Sequence, residues 1–351
     1  MTKIAASLEL KEKLDNECYY SCTLTNEAGA VVEILSYGAL IRRWLVPTTK
    51  GPVDIVQGKD AIADYKAVSS CSSFIVGRFA NRISDGAFTI DGQTSTLEKN
   101  QGNNTLHSAS GNYATKNWTL APFVKDDVAG VVCKLHDYGQ GGFPGEAEVE
   151  VTYTLDKAGT LALDYKFIPT AATPLNLTCH AYFNLNGHAS DSLEGHMVQV
   201  DADAYLPGDP TGLPLGVIAK VEGTPMDLRK ATDLCAGIAS TFEQIAQFGG
   251  YDHNYCLNGE GMRLVACAVS AKTGLRLAVH TDLPGMQLYT TNIGAKAVKG
   301  KEGVTYHAHS AFCFETQFYP NSINVPAFKG KVCQAGETFT TRTEFHVSSV
   351  K

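Results

Sequence analysis

Asn176 to Leu185 is a strictly alternating segment. If it is extended, Asn176, Thr178, His180, Tyr182 and Asn184 fall on one face. Leu177, Cys179, Ala181, Phe183 and Leu185 fall on the other, because successive side chains of a strand point opposite ways. The second face is an ordinary core face. The first has no lysine or glutamate; it is a row of hydrogen-bonding groups with a histidine in the middle. Such a row suits the floor of a cleft for a polyhydroxylated ligand.

A second alternating segment runs from Ala311 to Phe318. Phe312, Phe314, Thr316 and Phe318 share one face, and Cys313, Glu315 and Gln317 the other. A carboxylate inside so apolar a strand is costly unless it is paired or opens into a polar cleft. Both readings stand for Glu315 at this point. Three polar patches accompany these strands: Gly77-Arg78-Phe79-Ala80-Asn81-Arg82-Ile83, Asn103-Asn104-Thr105-Leu106-His107 and Gly249-Gly250-Tyr251-Asp252-His253-Asn254. Each alone reads as a turn or a locally paired loop.

Competing chemistries fail on context. Gly139-Gln140-Gly141-Gly142-Phe143-Pro144-Gly145 contains proline, lacks a following Lys-Ser/Thr and leads into a strand, so it reads as a rigid turn rather than a phosphate loop. His307 and His309, at i and i+2, would share a face if extended, but nothing else gathers a third metal ligand. Cys18 and Cys22 form a lone C-x3-C without a second pair. There is no G-x-S-x-G elbow for a serine nucleophile.

The elements that must position these residues are short strands. Glu148–Leu155, Leu161–Ile168, Met197–Leu206, Leu264–Val269, Leu275–His280, Met286–Asn292 and Ala311–Tyr319 read as strands, separated by turn signals such as Asn186-Gly187 and Asn258-Gly259. Asp91-Gly92 predicts a hairpin between Phe88–Ile90 and Thr94–Leu97. Residues 231–248 predict one or two short helices. No βα alternation is present. The expectation is an all-β protein, a large antiparallel β-sandwich, in one domain over residues 1–351.

Of the 351 residues, 44% are hydrophobic and 19% charged, as in folded soluble proteins. A net charge of −7 without a basic run argues against nucleic acid or an anionic membrane as partner. No stretch has the length of a membrane span, and the N-terminus lacks a secretory core. The scattered cysteines then read as buried thiols in a reducing compartment, and a cytoplasmic location is expected. In such a compartment the N-x-S/T sequons at Asn103, Asn117 and Asn176 carry no weight. Nothing suggests an obligate protein partner.

Taken together, these segments resemble the aldose 1-epimerase (galactose mutarotase) family. The family's G-R-x-A-N-R-I with a following G-x-F is similar to Gly77–Ile83 with Gly86 and Phe88. Its histidine loop resembles Asn104–His107, and its G-F-P-G turn Gly142–Gly145. Its H-x-Y-F-N-L, G-Y-D-H-N, Q-x-Y-T and E-T-Q blocks resemble His180–Leu185, Gly250–Asn254, Gln287–Thr290 and Glu315–Gln317. The blocks fall in the family's order across most of the chain. One departure is visible: the family commonly has H-G-G where this chain has His107-Ser108-Ala109.

The resemblance implies an open sugar cleft, no cofactor and no metal, and interconversion of the α and β anomers of free hexoses such as galactose and glucose. Ring opening removes a proton from the C1 hydroxyl and delivers one to the ring oxygen, which calls for a base and an acid. These are expected to be Glu315, ionised, and His180, protonated, on opposite sides of the hemiacetal. Asn81, Arg82, His107, Asp252 and Gln287 are expected to bind the sugar, with Tyr182 and Phe183 flanking His180. Arg78 is read as structural. Two alternatives remain. A hexose-6-phosphate 1-epimerase would need cations at the C6 end, for which Arg78, Arg82 and Lys116 are the candidates. A non-catalytic sugar sensor would keep the cleft without turnover.

Overall fold

The computed structural model describes residues 3–349. Its largest element is a nine-stranded antiparallel sheet. In spatial order the strands are Thr119–Lys125, Val128–Asp137, Ala147–Leu155, Thr160–Pro169, Phe339–Ser349, Leu275–Thr281, Arg263–Ser270, His196–Val200 and Thr232–Asp233. The odd-numbered residues of Ala147–Leu155 are all buried and the even-numbered ones partly or fully exposed, so this sheet turns one face to the core and one outward. Two five-stranded sheets cover the inner face. One is N-terminal and runs in chain order from Ala5–Leu14 to Val53–Asp54. The other has the order Ala219–Lys220, Ala202–Tyr205, Asp252–Leu257, Gly285–Tyr289, Cys313–Gln317.

One hydrophobic cluster joins all three, from Cys22 to Val347. Phe183 sits at their junction, its ring centroid 6.4 Å from that of Trp44, 6.0 Å from Phe312 and 5.3 Å from Phe345. Helices are marginal: Ile62–Ala67, Leu234–Ile238 and Glu243–Ala246. The last two lie inside the predicted helical stretch. The predicted hairpin forms from Ala87–Ile90 and Gln93–Thr96, with Asp91 and Gly92 both at positive φ, as a two-residue primed turn requires.

Two sequence expectations fail. Met197–Leu206 is not one strand. It breaks at Asp201, so that His196–Val200 joins the large sheet and Ala202–Tyr205 the smaller one. Periodicity carried through the break because the two strands keep the same alternation while changing partners. The segment Asn176–Leu185 is likewise not one strand. Asn176 makes a single parallel bridge to Phe79, Thr178–Cys179 pairs with Ile75–Val76, and Phe183 then makes single bridges to Val56 and Phe312.

Candidate active site

The strand Cys313–Gln317 lies at the edge of the smaller sheet, and its alternation is the predicted one. Phe314 packs in the core, and Thr316 bonds Thr343 of the large sheet at 2.7 Å. Glu315 turns the other way, into a cleft of about 280 Å³. Register supplies its neighbours. Gln287 stands directly across from Glu315, Tyr289 from Cys313, and Asp252 from Tyr289. Side chains of opposed residues share a sheet face, so Glu315, Gln287, Tyr289 and Asp252 all reach the cleft. Gln287 Nε2 donates to Asp252 Oδ1 at 2.7 Å, which holds one carboxylate oxygen and leaves the other for a ligand.

His180 comes from the opposite wall. Its backbone N–H donates to Phe74 O at 2.8 Å, anchoring it just past the Thr178–Cys179 pairing. Its ring stacks on Tyr182 (4.8 Å, 9° between planes) and meets Tyr289 and His107 edge-on. His180 Nε2 lies 3.5 Å from Glu315 Oε1. The expected acid and base are therefore neighbours, not groups on opposite sides of a ligand. Burial raises Glu315 well above the usual carboxylate range; the charge of Asp252 adds to this and Arg82 opposes it. Burial also lowers His180 to about 4. Both shifts run against the expected ionised Glu315 beside a protonated His180. At 3.5 Å the pair lacks the short charge-assisted bond that would offset desolvation of two ions.

The third wall is the Gly77–Ile83 loop. Arg82–Ile83 pairs with Thr105–Leu106, which brings Asn81, Arg82 and His107 together. Asn81 N–H donates to His107 Nδ1 at 3.0 Å, so the ring proton sits on Nε2. Burial, then His180, then Arg82 hold His107 well below its ordinary pKa, making it a neutral hydrogen-bond donor. Asn81 Oδ1 accepts from Arg82 N and Nη1, and Gln101 Oε1 accepts from Arg82 Nε at 2.8 Å. The departure at His107-Ser108-Ala109 puts three non-glycine residues in succession at positive φ (50°, 64° and 49°). Ser108 Oγ holds this turn by accepting from Phe79 N and donating to Phe79 O.

Gly212 backs this wall. A Cβ there would lie 2.6 Å from Arg82 Cζ, at a φ of +83°. In Gly212→Ala the guanidinium must move. The substitution is expected to lower kcat/KM about tenfold or more, as for loss of a charged hydrogen bond of about 1.5–3 kcal/mol. Strain at positive φ is expected to cost about 1–2 kcal/mol of stability. An unchanged kcat/KM would show that Arg82 does not touch the substrate.

All eight expected residues, Asn81, Arg82, His107, His180, Tyr182, Asp252, Gln287 and Glu315, line this one cleft. The rest of the polar row does not. Asn176 is buried and clamps two segments, donating to Ala80 O and Phe318 O and accepting from Phe318 N. Asn184 donates to Ser190 O, Ser192 O and Ser310 O. Thr178 is buried as well. Phe183 belongs to the core and does not flank His180. Of the three candidate phosphate cations, Arg82 alone lines the cleft. Arg78 is buried against Asp137, and Lys116 bonds Ser110 O and Gln140. His307 pairs with Asp191 and His309 with Gly249 O, so they converge on nothing. Tyr289 was missed, although its i+2 spacing from Gln287 places it on the same face.

An antiparallel β-sandwich with a carboxylate–imidazole pair in a cleft of hydroxyl-binding groups defines a class: a sugar-binding acid–base site. A sequence model described as "Aldose 1-epimerase" matches residues 20–346. The chain is 39% identical to a galactose mutarotase of Bos taurus over 320 residues, covering 90% of this chain and 91% of that one. It is 32% identical to an aldose 1-epimerase of Escherichia coli over 337 residues, covering 94% and 96%. Among solved structures, a galactose 1-epimerase from Lactobacillus acidophilus superposes with a TM-score of 0.88 at 26% identity, covering 99% of this chain and all of that one. A GalM/aldose epimerase homologue from C. elegans gives 0.84 at 26% identity, covering 93% and 98%. The chain belongs to the aldose 1-epimerase family.

Proposed function

We infer that this protein is a mutarotase, an isomerase that interconverts the α and β anomers of free hexoses such as galactose and glucose, with Glu315 and His180 as its proton-transfer pair. The observation that carries the reading is a buried carboxyl 3.5 Å from an imidazole at the base of a cleft rich in hydroxyl-binding groups. The C1 hydroxyl and the ring oxygen are both bonded to C1, so adjacent groups can serve both. Glu315 takes the proton of the C1 hydroxyl as the ring opens, and His180 delivers one to the ring oxygen. The aldehyde turns about C1–C2, and the roles reverse on closure from the other face.

The pair needs one proton between its two members. Burial by itself favours the proton on Glu315, since it raises the carboxyl and lowers the imidazole. A bound sugar replaces water with hydroxyls that donate to the carboxylate, which favours its ionised form and moves the proton to His180. Asp252 and Gln287 accept from and donate to ring hydroxyls, Arg82 and Asn81 donate, and His107 donates through Nε2. Tyr182 and Tyr289 wall the cleft around His180 and turn the ring toward C1.

The pH dependence follows from these directions. As pH falls through about 4, His180 takes a second proton and the pair loses its base, so kcat/KM falls on the acid side only there. On the alkaline side it falls once Glu315 loses the shared proton, above the usual carboxylate range. In a buffer-corrected profile kcat/KM is expected not to decline as pH falls from neutrality to 5, since His180 takes its further proton only near 4. A steady decline from pH 7 to pH 5 would mean that a histidine of ordinary basicity must be neutral, contrary to the assignment.

The direct test is polarimetry of freshly dissolved α-D-galactose at neutral pH. The protein is expected to speed the approach to an unchanged equilibrium rotation. No acceleration with galactose or glucose would refute the reading.

A further inference from the structure

One buried nucleophile beside the site has no part in the sugar chemistry. Cys313 lies two residues before Glu315 on the same strand, so its thiol turns to the same side, and it is fully buried. A ligand atom from each of His180, Cys313 and Glu315 lies within 4.8 Å of the other two. Among the described residues this is the one such grouping of three. The carboxyl is buried and, among the described residues, accepts no hydrogen bond, with His180 Nε2 standing 3.5 Å away.

From this convergence we propose that Cys313, Glu315 and His180 form a three-donor site for a borderline-soft divalent cation, zinc above all, and that its occupation shuts off turnover. The donor set decides which metal. Thiolate, imidazole and carboxylate together suit Zn²⁺ and disfavour Mg²⁺ and Ca²⁺, which take oxygen donors. Zinc bonds of about 2.0–2.3 Å need the three atoms drawn together by roughly an ångström or less. The 3.5 Å between Nε2 and Oε1 already approaches the edge of a tetrahedral site. The fourth position of the tetrahedron is left for a water ligand. Binding displaces the thiol proton and any proton on the carboxyl to solvent, and the imidazole binds through a lone pair. Both members of the proton-transfer pair are then tied up, so the cation competes with the sugar. This consequence rests on the mutarotase reading; the coordination does not.

The test uses the full-length protein with buffered free Zn²⁺, with Co²⁺ as a spectroscopic substitute. Zn²⁺ is expected to inhibit mutarotation competitively with galactose, while Mg²⁺ and Ca²⁺ at the same concentration do not. Cys313→Ser and Cys313→Ala are expected to keep the metal-free rate within about threefold. They should raise the half-inhibiting Zn²⁺ concentration at least about tenfold, since loss of even an outer-sphere partner costs that much affinity. Co²⁺ should give a thiolate-to-metal absorption band that both variants lack. Equal inhibition of the wild type and both variants, or a Co²⁺ complex without the band, would overturn the proposal. Should the protein not accelerate mutarotation at all, the Co²⁺ spectrum and a calorimetric titration with Zn²⁺ still decide the coordination.

Discussion

Glu315→Gln is expected to lower kcat/KM about 10²–10⁴-fold, the contribution of one positioned acid–base group. Glutamine keeps the volume and one carbonyl oxygen but cannot take a proton. The sugar contacts proposed for Asp252, Gln287, Arg82 and His107 do not involve the substituted atom, so binding of galactose, read by calorimetry, should change little. The loss belongs in kcat. Stability moves the other way. Glu315 is buried and, among the described residues, accepts no hydrogen bond, and burial presses it toward the neutral form. A neutral amide removes that tension, so the variant should melt at or above the wild-type temperature. Lost activity with retained stability marks a residue kept for chemistry. A variant with more than a tenth of wild-type kcat/KM would remove Glu315 from the role of base.

The second large effect is on stability. Arg78→Met is expected to destabilise the protein by about 3–5 kcal/mol, the usual cost of breaking a buried ion pair from one side. Arg78 is fully buried. Its Nε and Nη2 contact Asp137 Oδ2 at 2.8 Å, Nη1 donates to Pro144 O and Thr173 Oγ1, and Nη2 donates to Gly145 O. Methionine fills the space but leaves the Asp137 carboxylate with Tyr113 and Gly139 as donors, and two carbonyls with none of theirs. Arg78→Lys should recover part of the loss, since an ammonium restores charge without the planar fork. Urea unfolding measures both. A loss under about 1 kcal/mol would show that the pair is not a structural lock. The turn Gly142–Gly145, which the sequence offered as a rigid turn, closes over this guanidinium and so holds the base of the Asn81–Arg82 loop.

How much was legible before folding can be judged residue by residue. The face of Glu315 was readable because Cys313–Gln317 is a regular strand, where a period of two is a geometric necessity. Tyr289 was readable on the same ground. Asn184 was misplaced because Asn176–Leu185 leaves regular pairing after Cys179, and alternation says nothing about direction once a chain bends; Asn176 and Thr178 precede the bend but are covered by neighbouring segments, which alternation does not report. The strand break at Asp201 was hidden for a similar reason, since a change of partner sheet leaves the pattern intact. The grouping of Cys313 with His180 was also out of reach, because it joins segments more than a hundred residues apart.

The sequence by itself determined the all-β class, most of the strands and the residue types of an acid–base sugar site, because these follow from local periodicity and from what each side chain can donate, accept or titrate. The tertiary structure alone decided that Glu315 and His180 are neighbours, that burial pushes the carboxyl up and the imidazole down, that Arg78 is buried against Asp137 and that Cys313 stands beside the pair. Those are matters of distance and desolvation, and both are set by which distant segments the core draws together.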